Sequence, residues 1–248
     1  MNTIIGIIPA RYASTRFPGK PLALIDGKPM IQHVYERVSL ITSLSSVLVA
    51  TDDKRISDTV ASFGGKVMMT SELHKSGTDR CGEVVKKLMA QGVRPDVVIN
   101  IQGDEPFVEH TQIESLIGCF NDTSVQIATL KKKISGMQEL LSPNVVKVIT
   151  DINNYALYFS RFPIPFQRGT EQGSWLENHD YYKHIGIYAY RTDVLQKLTE
   201  LSQSELEKTE SLEQLRWLEN GYKIAVAETD HENIAIDTPE DLLKLKNI

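Results

Sequence analysis

The chain reads as an α/β protein, a mainly parallel sheet with helices on both faces, and three observations predict it. Over the first half of its 248 residues, short runs rich in Val and Ile alternate with segments whose apolar residues recur at helical spacing. The runs are brief and nearly continuous in their apolar character, the form taken by strands covered on both faces. Punctuation falls between them: Pro29 suits a first helical turn and Gly64-Gly65 a helix end.

Taken in order, Thr3–Pro9, Ser46–Thr51, Lys66–Met69, Asp96–Gln102 and Val125–Leu130 are the expected strands of the first half. Between them, Pro29–Leu40, Lys54–Phe63, Asp79–Gln91 and Gln112–Phe120 carry the helical pattern. Beyond residue 130 the pattern changes. Val145–Thr150 and Tyr155–Ser160 flank the turn residues Asp151-Ile152-Asn153-Asn154 and predict a hairpin. The Pro-, Gly- and polar-rich stretch Pro163–Asn178 reads as a long loop, and His184–Tyr190 as another strand. Helical stretches follow near Thr192–Leu201 and Glu207–Asn220. A strand at Ile234–Ile236 leads to Thr238-Pro239-Glu240-Asp241, a helix start with a hydroxyl cap, proline at the first position and two acids in the first turn. Residues 131–190 read as an insertion upon one α/β domain, not as a second domain.

Bulk properties narrow the function. A formal net charge of −5 argues against general nucleic-acid binding. No stretch approaches the ~20 apolar residues of a membrane span, and the N-terminal apolar run is already a strand without a basic leader before it. Cys81 and Cys119 are the only thiols, which predicts reduced cysteines and a cytoplasmic protein, and no Cys or His falls at metal-ligand spacing.

Against that overall sign, the stretch from Ile8 through Pro9, Ala10 and Arg11 to Lys20 concentrates cations: Arg11, Arg16 and Lys20, with the hydroxyls of Ser14 and Thr15 and with Gly19 between them. Guanidinium forks grip two oxygens each and lysine supplies a movable point charge, so the loop suits a polyphosphate. Its place after a strand, where open α/β sheets hold ligands, favours that over a solvated basic loop. Gln102-Gly103-Asp104-Glu105-Pro106 follows another strand and delivers Asp104 to the same edge. A carboxylate beside a polyphosphate implies a cation between them; Mg²⁺ takes one or two carboxylates with phosphate oxygens and water. Asp237, at a further strand end, is the natural second ligand. Alone, Asp104 reads equally as a turn former and Asp237 as a helix-entry residue; jointly they point to metal.

Other segments stay open. Ser76-Gly77-Thr78-Asp79-Arg80 could hold a base, ribose or phosphate, or be only an N-cap run. Ala50-Thr51-Asp52-Asp53 is either part of a site or a capped helix start. Later, Arg161, His184, Tyr188, Glu213 and Gln214 stand among apolar neighbours and would suit a hydroxylated acid, Arg for its carboxylate and the others for hydroxyls. Each also reads as an ordinary residue, and Glu213 with Arg216 as a helix-face ion pair worth about a few tenths of a kcal/mol. A dinucleotide-binding oxidoreductase is disfavoured, because no Gly-x-Gly-x-x-Gly turn follows the first strand.

Together the segments Pro9–Lys20, Ser76–Arg80, Gln102–Pro106, Tyr158–Arg161, His184–Tyr188, Glu213–Arg216 and Asp237–Asp241 resemble, in order and over the whole length, the 3-deoxy-manno-octulosonate (Kdo) cytidylyltransferases, also called CMP-Kdo synthetases. The late motifs are more specific than the opening loop, which the wider sugar nucleotidyltransferases share. The resemblance implies a single three-layer α/β/α nucleotidyltransferase domain over residues 1–248, with a mainly parallel sheet of about seven strands and a hairpin insertion. It also implies a cytoplasmic homodimer that joins CTP and Kdo with Mg²⁺ to give CMP-Kdo and pyrophosphate for lipopolysaccharide synthesis. Carried onto matching positions, Pro9, Ala10, Arg11, Ser14, Lys20, Ser76, Gly77, Thr78 and Arg80 bind the nucleotide, and Asp104 and Asp237 hold Mg²⁺. Lys20, Asp104 and Asp237 carry the catalysis, while Arg16, Gln102, Arg161, His184, Tyr188, Glu213 and Gln214 surround Kdo. A sister enzyme acting on 8-amino-Kdo has a similar motif set, so that sugar, or another sugar acid, stands as the alternative. The chain departs from the family at Phe17, commonly Leu there, and most of all over residues 162–180.

Overall fold

Strand β1 (Ile4–Ala10) is buried at every position but Pro9 and lies between two parallel neighbours, as an apolar run of this kind requires. The computed structural model to which it belongs describes residues 3–13, 17–232, 236 and 238–245, with side chains through residue 242 in the last helix. The chain divides into two compact units: Met1–Ile113 with Tyr190–Thr199 and Asn233–Ile248, and Glu114–Ala189 with Glu200–Glu232.

In the first unit, β2 (Leu24–Ile25) and β3 (Lys28–Pro29) form a small antiparallel hairpin that leads into α1 (Met30–Ser39). Its tight turn rests on Asp26 and Gly27, both at positive φ (48° and 81°). Pro29 therefore ends a strand and stands at the helix N-cap instead of inside the first turn. Next come β4 (Ser46–Thr51), α2 (Lys54–Ser62), β5 (Val67–Met69), α3 (Gly77–Ala90), β6 (Val97–Asn100) and the first turn of α4 (His110–Cys119), the rest of which belongs to the second unit. The strand order is β6-β1-β4-β5, all parallel, so each crossover must be a helix. Met30, Ile31, Val34 and Val38 of α1, Ile56 and Val60 of α2, and Cys81, Val84 and Val85 of α3 are the buried stripes. Each such side chain contributes on the order of 1.5–3 kcal/mol by leaving water.

The second unit carries β7 (Ile127–Lys133), α5 (Met137–Leu141), β8 (Lys147–Thr150), β9 (Ala156–Ser160), α6 (Trp175–Asn178) and most of β10 (Tyr182–Arg191). The expected hairpin is β8 antiparallel to β9, with Val148 opposite Phe159, and β8 also pairs with β10. The expected long loop is more ordered than its composition suggested. A 3₁₀ turn (Gln172–Ser174) and α6 seat Trp175 in a cluster with Ile134, Leu140 and Tyr181. Trp175 Nε1 donates to Thr170 O at 3.2 Å, and Tyr181 Oη donates to Pro165 O at 2.7 Å.

After α7 (Thr192–Leu198) of the first unit, the helix expected over 207–220 is instead two: α8 (Glu205–Glu210) and α9 (Glu213–Glu219). Ser211, at φ 53°, breaks it in the left-handed region. A capping box of Ser204 and Glu207 starts α8. Strand β11 (Ile224–Glu228), which the sequence reading did not identify, runs parallel to β7. The expected strand at 234–236 lies outside the described residues except for Ile236. Helix α10 (Pro239–Leu245) begins as expected: Thr238 Oγ1 accepts from Asp241 N–H at 3.3 Å. Ile236 packs with Ile25 and Met30, and Phe17 and Leu242 close over them. The departure from Leu at position 17 thus places a larger apolar group against this cluster.

Candidate active site

At the carboxyl ends of β1 and β6 the first unit opens a cavity of about 240 Å³. Its walls include Pro9, Ala10, Arg11, Lys20, Ser76, Gly77, Arg80, Gln102 and Asp104, residues that the sequence scatters over about a hundred positions. Two glycines make the convergence possible. Gly19, at φ 73°, caps a 3₁₀ turn (Lys20–Leu22), donates its N–H to Tyr12 O at 2.9 Å, and leaves no room for a side chain against the Tyr12 ring. Gly103 is pressed so close to β1 that a Cβ there would stand 2.6 Å from Pro9 O. The Tyr12 ring is held in turn by the Arg55 guanidinium, 3.3 Å from its centroid.

The central polar contact is Lys20 Nζ donating to Asp104 Oδ2 at 2.6 Å, with the two side chains 12% and 30% exposed. A lysine from the segment after β1 and a carboxylate from the segment after β6 thus meet on the cavity wall. Ser76 is the N-cap of α3, its Oγ accepting from Asp79 N–H at 3.1 Å, so the capping role read from the sequence is real; it lines the cavity as well. Thr78 is buried, its hydroxyl 3.4 Å from Tyr190 Oη. Arg80 is buried and bound to Asp52 at 2.8 Å and to Thr70. The 50–53 segment therefore divides: Asp52 faces Arg80, whereas Asp53 caps α2 and is bonded by Arg55, which holds its carboxyl below the usual range. Ser14, Arg16 and Asp237 lie outside the described residues.

In the second unit, β10 carries His184 and Tyr188. His184 Nε2 and Thr129 Oγ1 are 3.0 Å apart, and the imidazole packs edge-on to Phe159 and against the Tyr188 ring. Burial pulls the imidazole pKa down to about 3, so the ring is neutral near pH 7. Burial, then the charge of Glu213, push the Tyr188 phenol well above its ordinary value. Tyr188 also meets Trp217 edge to face, at 5.0 Å between centroids. Glu213 accepts from Arg216 at 3.2 Å, and Gln214, one residue on, is buried. Arg161 donates to the carbonyl oxygens of Glu210 (2.7 Å), Pro143 (3.0 Å) and Ser211 (3.4 Å). It thereby fixes the turn from which α9, with Glu213 and Gln214, departs.

A family model described as cytidylyltransferase matches residues 5–224 of the chain. A 3-deoxy-manno-octulosonate cytidylyltransferase of Parabacteroides distasonis is 57% identical over 98% of this chain and 97% of its own length. The protein of that name from Phocaeicola vulgatus is 58% identical over 97% and 94%. The chain belongs to this cytidylyltransferase family. A solved structure of CMP:2-keto-3-deoxy-manno-octonic acid synthetase complexed with CTP superposes with a TM-score of 0.91 at 46% identity, covering 99% of this chain and 97% of that one. A 4-diphosphocytidyl-2C-methyl-D-erythritol synthase from Anaerococcus prevotii, 15% identical with a TM-score of 0.62 over 98% and 96%, shares the fold.

For a cytidylyltransferase, the cavity holds residues that the sequence reading passed over. His74 and Lys75 stand on its wall immediately before Ser76. His74 Nε2 lies 2.5 Å from Glu83 Oε2. Burial raises the Glu83 pKa, but Lys87, the Ser71 N–H and His74 outweigh it and bring it to about 2. Lys75 directly precedes the Ser76–Arg80 segment and was legible by proximity. Thr70, deep beside Arg80, carried no signal at all.

Proposed function

We propose that the chain transfers a cytidylyl group from CTP to the anomeric hydroxyl of Kdo, giving CMP-Kdo and pyrophosphate. The Lys20–Asp104 contact at the strand ends carries this reading, together with full-length identity to proteins named for that reaction. The Kdo hydroxyl oxygen attacks the α-phosphorus, the bond to the pyrophosphate oxygen breaks, and the hydroxyl proton leaves to solvent. Attack on so anionic a centre needs charge to be neutralised and the nucleophile aligned opposite the leaving group. Lys20, Arg11 and Lys75 are the cations set on the cavity for the triphosphate. No dedicated side-chain base is required if the hydroxyl is acidified by metal.

A magnesium ion fits the donors present. Asp104 offers a hard carboxylate oxygen at the cavity wall, and its backbone carbonyl accepts from Ile236 N–H at 3.1 Å. Asp104 and Asp237 would hold the ion, which when bound offsets phosphate charge and lowers the pKa of a coordinated hydroxyl. Toward the sugar, Gln102, Arg16, Arg161, His184, Tyr188, Glu213 and Gln214 would surround Kdo. The neutral imidazole and un-ionised phenol of His184 and Tyr188 suit hydroxyl groups, leaving the carboxylate to an arginine. The wider reading takes the chain as one nucleotidyltransferase domain acting as a homodimer in the cytoplasm, in lipopolysaccharide synthesis.

Pyrophosphate release with CTP, ATP, GTP or UTP, each against Kdo and 8-amino-Kdo at ordinary magnesium, tests this. Turnover with CTP and Kdo above all other pairs is expected; a preference for 8-amino-Kdo would move the assignment to that sugar, and no turnover with CTP would end it.

A further inference from the structure

Arg80 lines the cavity, yet its guanidinium is already committed on two sides. Nη2 donates to Asp52 Oδ2 at 2.8 Å, and Nη1 donates to Thr70 Oγ1 and to Ser71 O at 3.5 Å. The pair is deeply placed, with side chains 4% and 17% exposed. An arginine whose charge is cancelled by a carboxylate at contact distance adds little net attraction for a triphosphate. Pairing does something else: it fixes the plane and rotation of the fork, which a lone arginine would leave free. Nε–H and the second Nη2–H have no acceptor among the described residues, so they remain as donors of fixed direction.

Fixed, nearly charge-neutral donors suit a neutral ligand with adjacent acceptors. The phosphates have their own cations on the same cavity, Arg11, Lys20 and Lys75. Of the neutral parts of a pyrimidine nucleotide, the ribose offers hydroxyls that both donate and accept, whereas cytosine offers two adjacent groups that only accept, on a Watson–Crick edge that differs where it matters. Cytosine presents two adjacent acceptors, O2 and N3; uracil keeps O2 but presents N3–H, a donor that would face another donor. We propose that Asp52, with Thr70, is a positioning residue that locks Arg80 as the reader of cytosine, so that CTP is chosen over UTP through this buried pair. The inference rests on CTP being the nucleotide, as proposed above. It assigns Asp52 a role that its neighbour Asp53, a helix cap, does not have.

The test is the ratio of CTP to UTP affinity in Asp52→Asn, by calorimetry without sugar, with UTP also read by displacement of CTP. The variant keeps the side-chain shape but loses the charge that holds the fork. A ratio reduced about tenfold or more is expected, because a site built around hydrogen bonds discriminates only while its donors are held in place. Parallel weakening of both nucleotides, or an unchanged ratio, overturns the proposal, since a merely structural loss would not distinguish N3 from N3–H. Should Asp52→Asn fail to fold, Thr70→Val removes the other restraint and is read by the same ratio with the same two outcomes. A wild-type protein that releases no pyrophosphate from CTP would sink the proposed function; an active wild type with an unchanged ratio in the variants sinks this inference alone.

Discussion

Replacing Gly103 by alanine puts a methyl group where the fold has none to spare. Its Cβ would lie 2.6 Å from the carbonyl oxygen of Pro9, and ordinary van der Waals contact begins near 3.4 Å, so the strand ends must separate by about 0.8 Å. The obstacle is main chain in β1, buried on both flanks, so no flexible side chain can swing away. Overpacking of this kind costs about 1–3 kcal/mol, which for a chain of this size lowers Tm by about 2–12 °C. The larger effect falls on the reaction. Gly103 lies between Gln102 and Asp104, and a displacement of that size stretches the 2.6 Å Lys20–Asp104 contact to about 3.4 Å, the weak end of hydrogen bonding. A misplacement of about 1 Å at a reacting centre costs about 10²-fold. The assay is pyrophosphate release under saturating CTP and Kdo, beside a thermal melt and circular dichroism. A folded Gly103→Ala protein with kcat within threefold of wild type would refute the claim that this close approach sets the carboxylate.

Asp104→Asn should keep the fold and lose about 10²–10³ in kcat, the usual cost of one preorganised electrostatic contact; steady-state kinetics at ordinary magnesium check it. Acid stability should report on His184. Its pKa is near 6.5 unfolded and about 3 folded, so between these values the unfolded chain binds a proton that the native state does not, and stability falls as pH drops below about 6.5. The Glu83 window, from 4.5 down to about 2, lies lower, so denaturant melts between pH 6.5 and 4.5 isolate the histidine; a His184→Asn variant should show a slope flatter by up to about 1.4 kcal/mol per pH unit. Lys147→Met should destabilise by about 3 kcal/mol or more, read as a shift in urea midpoint. The Lys147 ammonium, its pKa lowered by burial, donates to the carbonyls of Ser142 (2.9 Å), Val145 (2.6 Å) and Arg161, which the variant would strand.

Much of the fold was legible because its interior strands are short apolar runs with no competing pattern; Ser46–Thr51 is a strand to the residue. What escaped lay where tertiary contacts override composition. Residues 163–178 look like loop by their Pro, Gly and polar content, yet Trp175 buries itself against Tyr181 and orders them. The 207–220 stretch has unbroken helical periodicity, and only the left-handed turn at Ser211, held by Arg161, divides it. The Asp26-Gly27 dipeptide, a strong hairpin signal, was there to be read. In the site, Lys20 and Asp104 declared themselves through strand-end position, a property of local sequence. Asp52 and Thr70 did not, because their meaning depends on which arginine they meet in space.

The pairing of cations in the cavity bears on what else the reaction needs. Lys20 is matched by Asp104 and Arg80 by Asp52, so each pair contributes no net charge. Of the cavity residues, Arg11 and Lys75 carry no ion pair among the described residues. CTP brings about four negative charges, and two cations with ordinary solvent exposure do not offset them at the α-phosphorus. A divalent ion bound through Asp104 would release Lys20 from its carboxylate and add its own charge at the same point, turning one neutral pair into two positive contacts with phosphate. On this reasoning the short Lys20–Asp104 bond is the resting partner of both groups. Were magnesium nucleotide held by Asp104 as proposed, it would exchange that bond for contacts with phosphate, and removal of the metal should weaken CTP through Lys20 as well as through Asp104.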